Sequence, residues 1–342
     1  MIPEAKTAAV TRALSEAFGV TEFENIRLMT AGLTSALVFR IVVRGHPYLL
    51  RVITRTDANT DPTRQFTCMK IAADAGLAPR VWYTNIEDRV AIMDFVEARP
   101  FPTTERVVRL AATLRALHAL SPFPKLVNDY DTAPTFLFRS SAFKDSFIQS
   151  FQAAKVLPDS ETEELLRLYA RVASVYPQFV SDLVSSHNDL KPENILFDGA
   201  RVWLVDWEAA FLNDRYSDLA VAANFVVTND AEEEVYLRTY FGEAAGEYRL
   251  ARFHLMRQMV HMFYAMAFSL LGSSAKPTEP TAPMPALTDL NNRIWAGEVS
   301  LATAEAKLQY GRVHMNQLLQ TMREVRMQDA LRIVSKRHGI FA

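Results

Sequence analysis

The chain holds a single cysteine, Cys68, among 342 residues. An intrachain disulfide and a cysteine-built metal site are therefore excluded. Cys68 lies in a helical pattern and reads as a small buried hydrophobe. An excess of charge of one sign is lacking too: 37 Lys and Arg face 39 Asp and Glu, a formal net charge of -2. No electrostatic case exists for nucleic acid or an anionic membrane surface as partner. Long hydrophobic runs are missing as well. The most apolar stretch, "MVHMFYAMAFSLL", is too short to span a bilayer and contains His261, so it reads as a core helix. The first residues, "MIPEAKTAAVTRALSEAFGV", carry acids and no apolar core of signal type, which points to the cytoplasm. No repeat of solenoid period occurs.

What is present is enough chain for two lobes rather than one core. Residues 4–18 read as an amphipathic helix, with Ala8, Leu14 and Phe18 among its apolar positions. The β-type segments "IRLM", "ALVFRIVV" and "HPYLLRVI" follow, with Gly45-His46 marking the turn between the last two. "TRQFTCMKIAADAG" reads as a helix closed by Gly76. "APRVWYT" and "VAIMDFV" read as two further strands. The character then changes. "TTERVVRLAATLRALHAL" is a helix with a Thr cap and Glu105 in its first turn. Residues 138–153 and 160–184 also read as helices, a hairpin spans 194–206, and helices resume near 217. "SSAKPTEPTAPMPA" is a Pro-rich linker or surface loop. Residues 287–338 are helical again. Their apolar positions, among them Leu308, Met315, Leu318 and Leu331, form a discontinuous stripe that sustains no heptads, so this tail is expected to pack on the large lobe. The expectation is an α+β chain in three parts: an antiparallel-sheet lobe at 1–96, a helical lobe at 97–275, and a loop with terminal helices at 276–342.

The densest polar cluster is "SSHNDLKPENILF", Ser185 to Phe197, set directly before an apolar run. "NILF" and "VWLVD" flank the turn pair Asp198-Gly199 and make a hairpin. Pairing around that turn places Asn194 roughly opposite Asp206, at the open end of the ribbon. An amide oxygen and a carboxylate held side by side suit Mg²⁺, a hard cation that prefers oxygen. Asp189 lies in the loop feeding the ribbon and can point into the same space. The arrangement suits phosphoryl transfer, which needs a metal on phosphate oxygens and a base that orients the attacking hydroxyl. Asp189 takes the role of base, and Lys191 offsets charge on the moving phosphoryl group.

"HNDLKPENIL" followed by "LVDWEAAF" resembles the phosphotransferase family of aminoglycoside kinases and choline/ethanolamine kinases, over about residues 25–270. The resemblance implies a protein-kinase-like fold of two lobes. The protein-kinase motifs themselves, H-R-D-L-x-x-x-N and D-F-G, are altered here: Asn188 stands for the Arg, and Trp207-Glu208 follow Asp206. Those departures, and the lack of an "APE"-type segment, argue for a small-molecule kinase. The resemblance further implies a nucleotide-binding loop in "TAGLTSALVFRI", with Gly32, Thr34 and Ser35 at the phosphates. Arg51, a charge inside the apolar strand "YLLRVI", takes the place of the strand-three lysine that binds phosphate. Its usual partner, a Glu on the next helix, is replaced by Gln65. Asp94, Phe95 and Val96 fall in the linker between lobes, whose backbone would hydrogen-bond the base of ATP; GTP is not distinguished. His118 is expected as a satisfied core histidine, His187 as a holder of the loop, and Asp218 as its anchor or as a helix cap.

For the acceptor, "HND" and "FLNDRYSDLAVAANF" resemble the choline kinase branch. A quaternary ammonium needs aromatic walls and an acid nearby, for which Trp207, Glu208, Tyr216, Phe225, Phe263 and Tyr264 are at hand. The expected activity is Mg²⁺-dependent transfer of the ATP γ-phosphate to a small-molecule alcohol of choline/ethanolamine type. An aminoglycoside-type acceptor is the alternative, and a catalytically silent nucleotide-binding module is the reading from another class. A monomer or homodimer is expected, with no nucleic acid and no membrane span.

Overall fold

The computed structural model describes residues 2–29, 36–55, 61–125, 141–177, 183–274 and 284–337, with residues 141–146 described as backbone only. Helix α1 (Glu4–Phe18) closes at Gly19 in the left-handed region and buries Ala9, Val10, Ala13 and Leu14. It lies on a five-stranded antiparallel sheet of β1 (Asn25–Leu28), β2 (Ala36–Val43), β3 (His46–Ile53), β4 (Val81–Asn85) and β5 (Val90–Asp94), in the order β1-β2-β3-β5-β4. The β2–β3 register pairs Val43 with His46. Arg44 and Gly45, both at positive φ, therefore form the two-residue turn, one position earlier than the Gly45-His46 expectation. Two positive φ values are what a hairpin turn compatible with strand twist requires.

Strand alternation assigns the two faces of this sheet. Phe39, Ile41, Leu50 and Val52 join α1 in one core. Leu49 and Ile53 belong to the core shared with the rest of the chain, so Arg51 between them faces the large lobe. Helix α2 (Thr63–Asp74) packs on that side and buries Gln65, Phe66, Cys68, Met69 and Ala72. Burial pushes the Cys68 thiol up to about 12, which makes it the inert hydrophobe expected.

The remainder is mainly helical. Helix α3 (Thr103–His118) follows Pro102 and has no side-chain cap. The Thr cap read from the sequence is not made, because Thr103 is already the first helical residue. Helices α4 (Ser141–Ala154) and α5 (Asp159–Ala173) come next. The helix expected over 160–184 ends at Ala173, and by 184 the chain is a strand; Pro177 cannot continue a helical ladder. Two short ribbons build the site: β6 (Val184–Ser186) with β9 (Phe211–Asn213), and β7 (Ile195–Phe197) with β8 (Val202–Leu204). Then come α6 (Arg215–Val226), α7 (Asp230–Phe241), α8 (Glu247–Leu271), α9 (Leu287–Trp295), α10 (Ala304–Thr321) and α11 (Val325–Arg337).

Helix α8 is the buried spine, with fourteen buried residues from Ala251 to Ser269. Helix α10 lies against it at close range, permitted by missing side chains. A Cβ on Gly311 would come 2.8 Å from Ser269 Oγ, and one on Gly272 would come 2.7 Å from the carbonyl oxygen of Ala304. No helix among the described residues is long and apolar enough to cross a membrane.

Candidate active site

The loop from β6 to β7 turns through Asn188, at φ 64, a left-handed conformation that Asn tolerates better than most residues. Two consecutive backbone N–H groups are exposed by that turn, and the fully buried Asp218 accepts both: His187 at 2.8 Å and Asn188 at 2.7 Å. His118 Nε2 lies 3.1 Å from the same carboxylate, and its Nδ1 lies 2.7 Å from the Tyr240 hydroxyl. Both ring nitrogens of His118 are thus partnered. His187 Nε2 reaches the carbonyl of Val205 at 2.9 Å, tying the loop to the end of β8. The cap of α6 is Asp214, which accepts from the Tyr216 N–H at 3.1 Å. That frees Asp218, one turn later, to anchor the loop.

Asp189 emerges from this anchored turn. Its Oδ2 accepts from Lys191 Nζ at 2.8 Å and from Asn194 Nδ2 at 2.9 Å. Asn194 also donates to the Asp189 carbonyl at 2.8 Å. Burial works against the charge on Lys191, but Asp189, Asp206 and Glu193 outweigh it and raise its pKa. A lysine so placed stays cationic throughout the neutral range.

The β7–β8 ribbon brings the second carboxylate close. The Val205 N–H donates to the Asn194 carbonyl at 3.0 Å, so Asn194 faces Val205 and Asp206 is one step further along. Asp206 itself is left-handed, at φ 65 and ψ 72, and starts a single 3₁₀ turn over Trp207–Ala209. The donor set fits a hard divalent cation. The Asn194 side-chain nitrogen is spent on Asp189, while its side-chain Oδ1 has no hydrogen bond among the described residues. Asp206 Oδ1 is buried without a hydrogen bond. No three His, Cys, Asp or Glu side chains converge among the described residues. A cation held here would take the rest of its shell from phosphate and water, as Mg²⁺ commonly does.

Arg51 reaches this segment from the small lobe. Its Nη1 lies 3.2 Å from Asp206 Oδ1, and its Nη2 is paired with Glu208. The side chain is only 10% exposed, so the pair is of the kind whose one-sided removal costs about 3–5 kcal/mol. Gln65 is buried, and the acids paired with Arg51 are Asp206 and Glu208. The acid that the resemblance expects on the helix is instead supplied by Glu208, across the cleft. Sequence reasoning missed Arg64, one residue earlier. Its guanidinium donates to the carbonyls of Glu208, at 3.0 Å, and of Ala210. An Arg at the start of the helix that follows the Arg51 strand was the available signal.

At the linker, the Asp94 N–H is spent on the Arg80 carbonyl at 2.9 Å and its carboxylate on Trp82 Nε1 at 2.7 Å. Phe95 lies 5.1 Å beneath the Arg40 guanidinium, half-buried like Val96. Gly32, Thr34 and Ser35 lie outside the described residues.

The residues set aside for an acceptor separate into groups. Trp207 is buried, with its ring 4.7 Å from that of His187 and 6.0 Å from that of Phe123, so it forms a floor beneath the loop. Tyr216 lies under the Arg252 guanidinium at 4.5 Å and lines a different cleft with Glu243, Tyr248 and Arg249. Phe225 is buried in the core. Phe263 and Tyr264, centroids 6.0 Å apart, join Phe147 and Phe268 in one aromatic cluster. Burial, and then the charges of Asp189 and Glu193, push the Tyr264 phenol up. The Tyr264 ring also meets those of Tyr310 at 6.2 Å and His314 at 5.0 Å.

A family model described as the phosphotransferase enzyme family matches residues 25–254. Protein LicA of Haemophilus influenzae is 28% identical over 137 residues, 37% of this chain and half of that protein's length. Among solved structures, a choline/ethanolamine kinase family protein from Mesorhizobium loti superposes with a TM-score of 0.64 at 20% identity, covering 97% of this chain and 99% of the other. A macrolide 2'-phosphotransferase from Brachybacterium faecium gives a TM-score of 0.56 at 15% identity, covering 79% of this chain and 99% of the other.

Proposed function

We propose a reaction for this chain, which belongs to the phosphotransferase enzyme family and is a small-molecule kinase: transfer of the ATP γ-phosphate to the hydroxyl of a small cationic alcohol of choline or ethanolamine type. Nucleotide use is supported by relatives of the same fold described in complex with AMP and with ATP. Asp189 is the group that orients the acceptor hydroxyl. Its Oδ2 is engaged by Lys191 and Asn194, which fixes the carboxylate plane and would leave Oδ1 for the acceptor hydroxyl. Asn194 and Asp206 would hold Mg²⁺, which would supply positive charge to offset that of the phosphates. Arg51 sits where it can exchange Asp206 for a phosphate oxygen, keeping Glu208 as its anchor. Lys191 stays protonated beside Asp189 and contributes positive charge where the phosphoryl group passes. Phe95 and Val96 offer the free backbone edge for the base, and the segment at Gly32, Thr34 and Ser35 would cover the phosphates. Such a chain works where ATP is made, in the cytoplasm.

The observation that carries the acceptor class is Tyr264. Its ring belongs to a cluster with Phe263 and Phe268, and the charges of Asp189 and Glu193 bear on its phenol. Aromatic faces beside carboxylates favour a cationic group. The test is ATP turnover with Mg²⁺ against choline, ethanolamine, an aminoglycoside and a macrolide. Turnover with either amino alcohol, lost in Asp189→Ala, is the expected result. Turnover confined to an antibiotic would overturn the acceptor class and keep the kinase.

A further inference from the structure

Asp206 stands in a backbone conformation that an aspartate adopts at a cost of order 1–3 kcal/mol, so something must hold it there. The following turn supplies one internal bond, from the Ala210 N–H to the Trp207 carbonyl at 3.1 Å. The next three carbonyls each accept from a side chain elsewhere in the chain. Arg64 takes those of Glu208 and Ala210, and Asn188 Nδ2 takes that of Ala209 at 3.0 Å. One pin therefore comes from the loop that carries Asp189, and the other from the small lobe. The start of α2 is itself fixed: Asp61 accepts from the N–H of Thr63 at 2.8 Å and from its hydroxyl at 2.6 Å. The Thr63 hydroxyl and N–H hold the Asp61 carboxyl below the usual carboxylate range.

We propose that Arg64 is a positioning residue for the metal: by clamping the carbonyls on either side of Ala209 it fixes the backbone that aims Asp206, and so makes the metal site depend on the seating of α2. The inference rests on Asp206 being a metal ligand, as proposed above. The guanidinium is suited to the task because its N–H donors lie in one rigid plane and can meet two carbonyls at once. A lysine offers one compact charge on a flexible stem and cannot serve both. Arg51 itself is paired with Asp206 and Glu208 rather than with an acid on this helix. Arg64 joins α2 directly to the metal-binding segment instead.

The experiment titrates a non-hydrolysable ATP analogue into wild type, Arg64→Ala, Arg64→Lys and Asp206→Asn, each with and without Mg²⁺. It needs no acceptor and no turnover. Arg109→Ala serves as control, because Arg109 also donates to a distant carbonyl, that of Ala200, at 2.8 Å. Mg²⁺ is expected to tighten binding in wild type and in the control. In Arg64→Ala the tightening should fall about tenfold or more, as when a partner that orients a metal ligand is removed, while metal-free affinity stays within about twofold. Arg64→Lys should lie between. An unchanged Mg²⁺ effect in a folded Arg64→Ala, or an equal loss with and without metal, would overturn the proposal. If Arg64→Ala does not fold, Arg64→Lys decides by the same criterion. Failure of the underlying reading looks different: Asp206→Asn would then keep the full Mg²⁺ effect, or wild type would show none.

Discussion

Asn194 donates its amide to the very oxygen of Asp189 that also binds Lys191, at 2.9 Å. The proposed base and the proposed metal ligand are therefore not independent. The same bond that fixes the Asp189 plane holds the Asn194 side-chain amide, and with it the orientation of its Oδ1. Removing either side chain disturbs both functions unless the replacement preserves the acceptor.

That coupling separates two substitutions. Asp189→Asn can place its amide oxygen at the Oδ2 position and keep both donors, so it loses the base and little else. Its kcat should fall by about 10²–10⁴, with Mg²⁺ half-saturation changed less than about twofold. Asp189→Ala frees the Asn194 amide to rotate and should weaken Mg²⁺ in addition, by about tenfold. Steady-state rates at varied Mg²⁺ distinguish the pair. Equal Mg²⁺ dependence in both variants would count against the link.

Asp218 supports a second expectation. It is fully buried and accepts two backbone N–H groups as well as contacting His118. Asp218→Ala strands those donors without water, at about 1–3 kcal/mol each. A loss of about 3 kcal/mol in a urea melt is expected, together with a fall in kcat that Asp214, the true cap of α6, does not reproduce through the loop. Asp218→Ala at wild-type stability would mean the loop is held elsewhere.

The Arg51 anchor illustrates why only part of the site was legible beforehand. Motif spacing grouped Asp189, Asn194 and Asp206, because a hairpin of fixed register converts sequence distance into spatial distance. Lys191 followed from the same loop. The antiparallel strands followed from local β-type patterning and turn signals, whereas their order in the sheet did not. Contacts between lobes have no such ruler. The partner of Arg51 is 157 residues away in Glu208, and Arg64 rather than Gln65 crosses the cleft. Neither depends on a local period. Aromatics misled for the opposite reason: Trp207 and Tyr216 share a short stretch of sequence, yet one underlies the catalytic loop and the other faces a separate cleft.

The α8–α10 contact depends on Gly311. A methyl there would sit 2.8 Å from Ser269 Oγ and 2.9 Å from the Ser269 backbone nitrogen. The helix backbone cannot yield cheaply, so Gly311→Ala should destabilise by about 1–3 kcal/mol in spite of the better helix propensity of Ala. Gly246→Ala, whose Cβ would meet nothing within 4 Å but which replaces the N-cap of α8, is the comparison and should cost no more than about 1 kcal/mol. Thermal melts of the two variants give the comparison. Equal melting temperatures would show that the helices can separate to admit a side chain.

Three buried histidines set the response to acid. His261 and His314 share a hydrogen bond between their Nδ1 atoms at 2.9 Å, which requires one ring to donate and the other to accept. Burial lowers His314 to about 3, and burial with the neighbouring His314 lowers His261 well below its ordinary value. Burial, then Arg326 and Arg257, lowers His254 to about 3. All three are neutral in the folded chain and take up protons on unfolding once pH drops below about 6.5. The unfolded state then binds more protons, so stability rises with pH and falls as pH is lowered. Each histidine contributes a slope approaching about 1.4 kcal/mol per pH unit below that point. Urea melts at pH 7, 6 and 5 should show a steepening loss. His254→Leu removes one titrating group whose Nε2 has no hydrogen bond, and should flatten the slope between pH 6 and 5 by about that single increment. A slope unchanged in His254→Leu, or stability that holds from pH 7 to 5, would mean these rings accept protons while the chain remains folded.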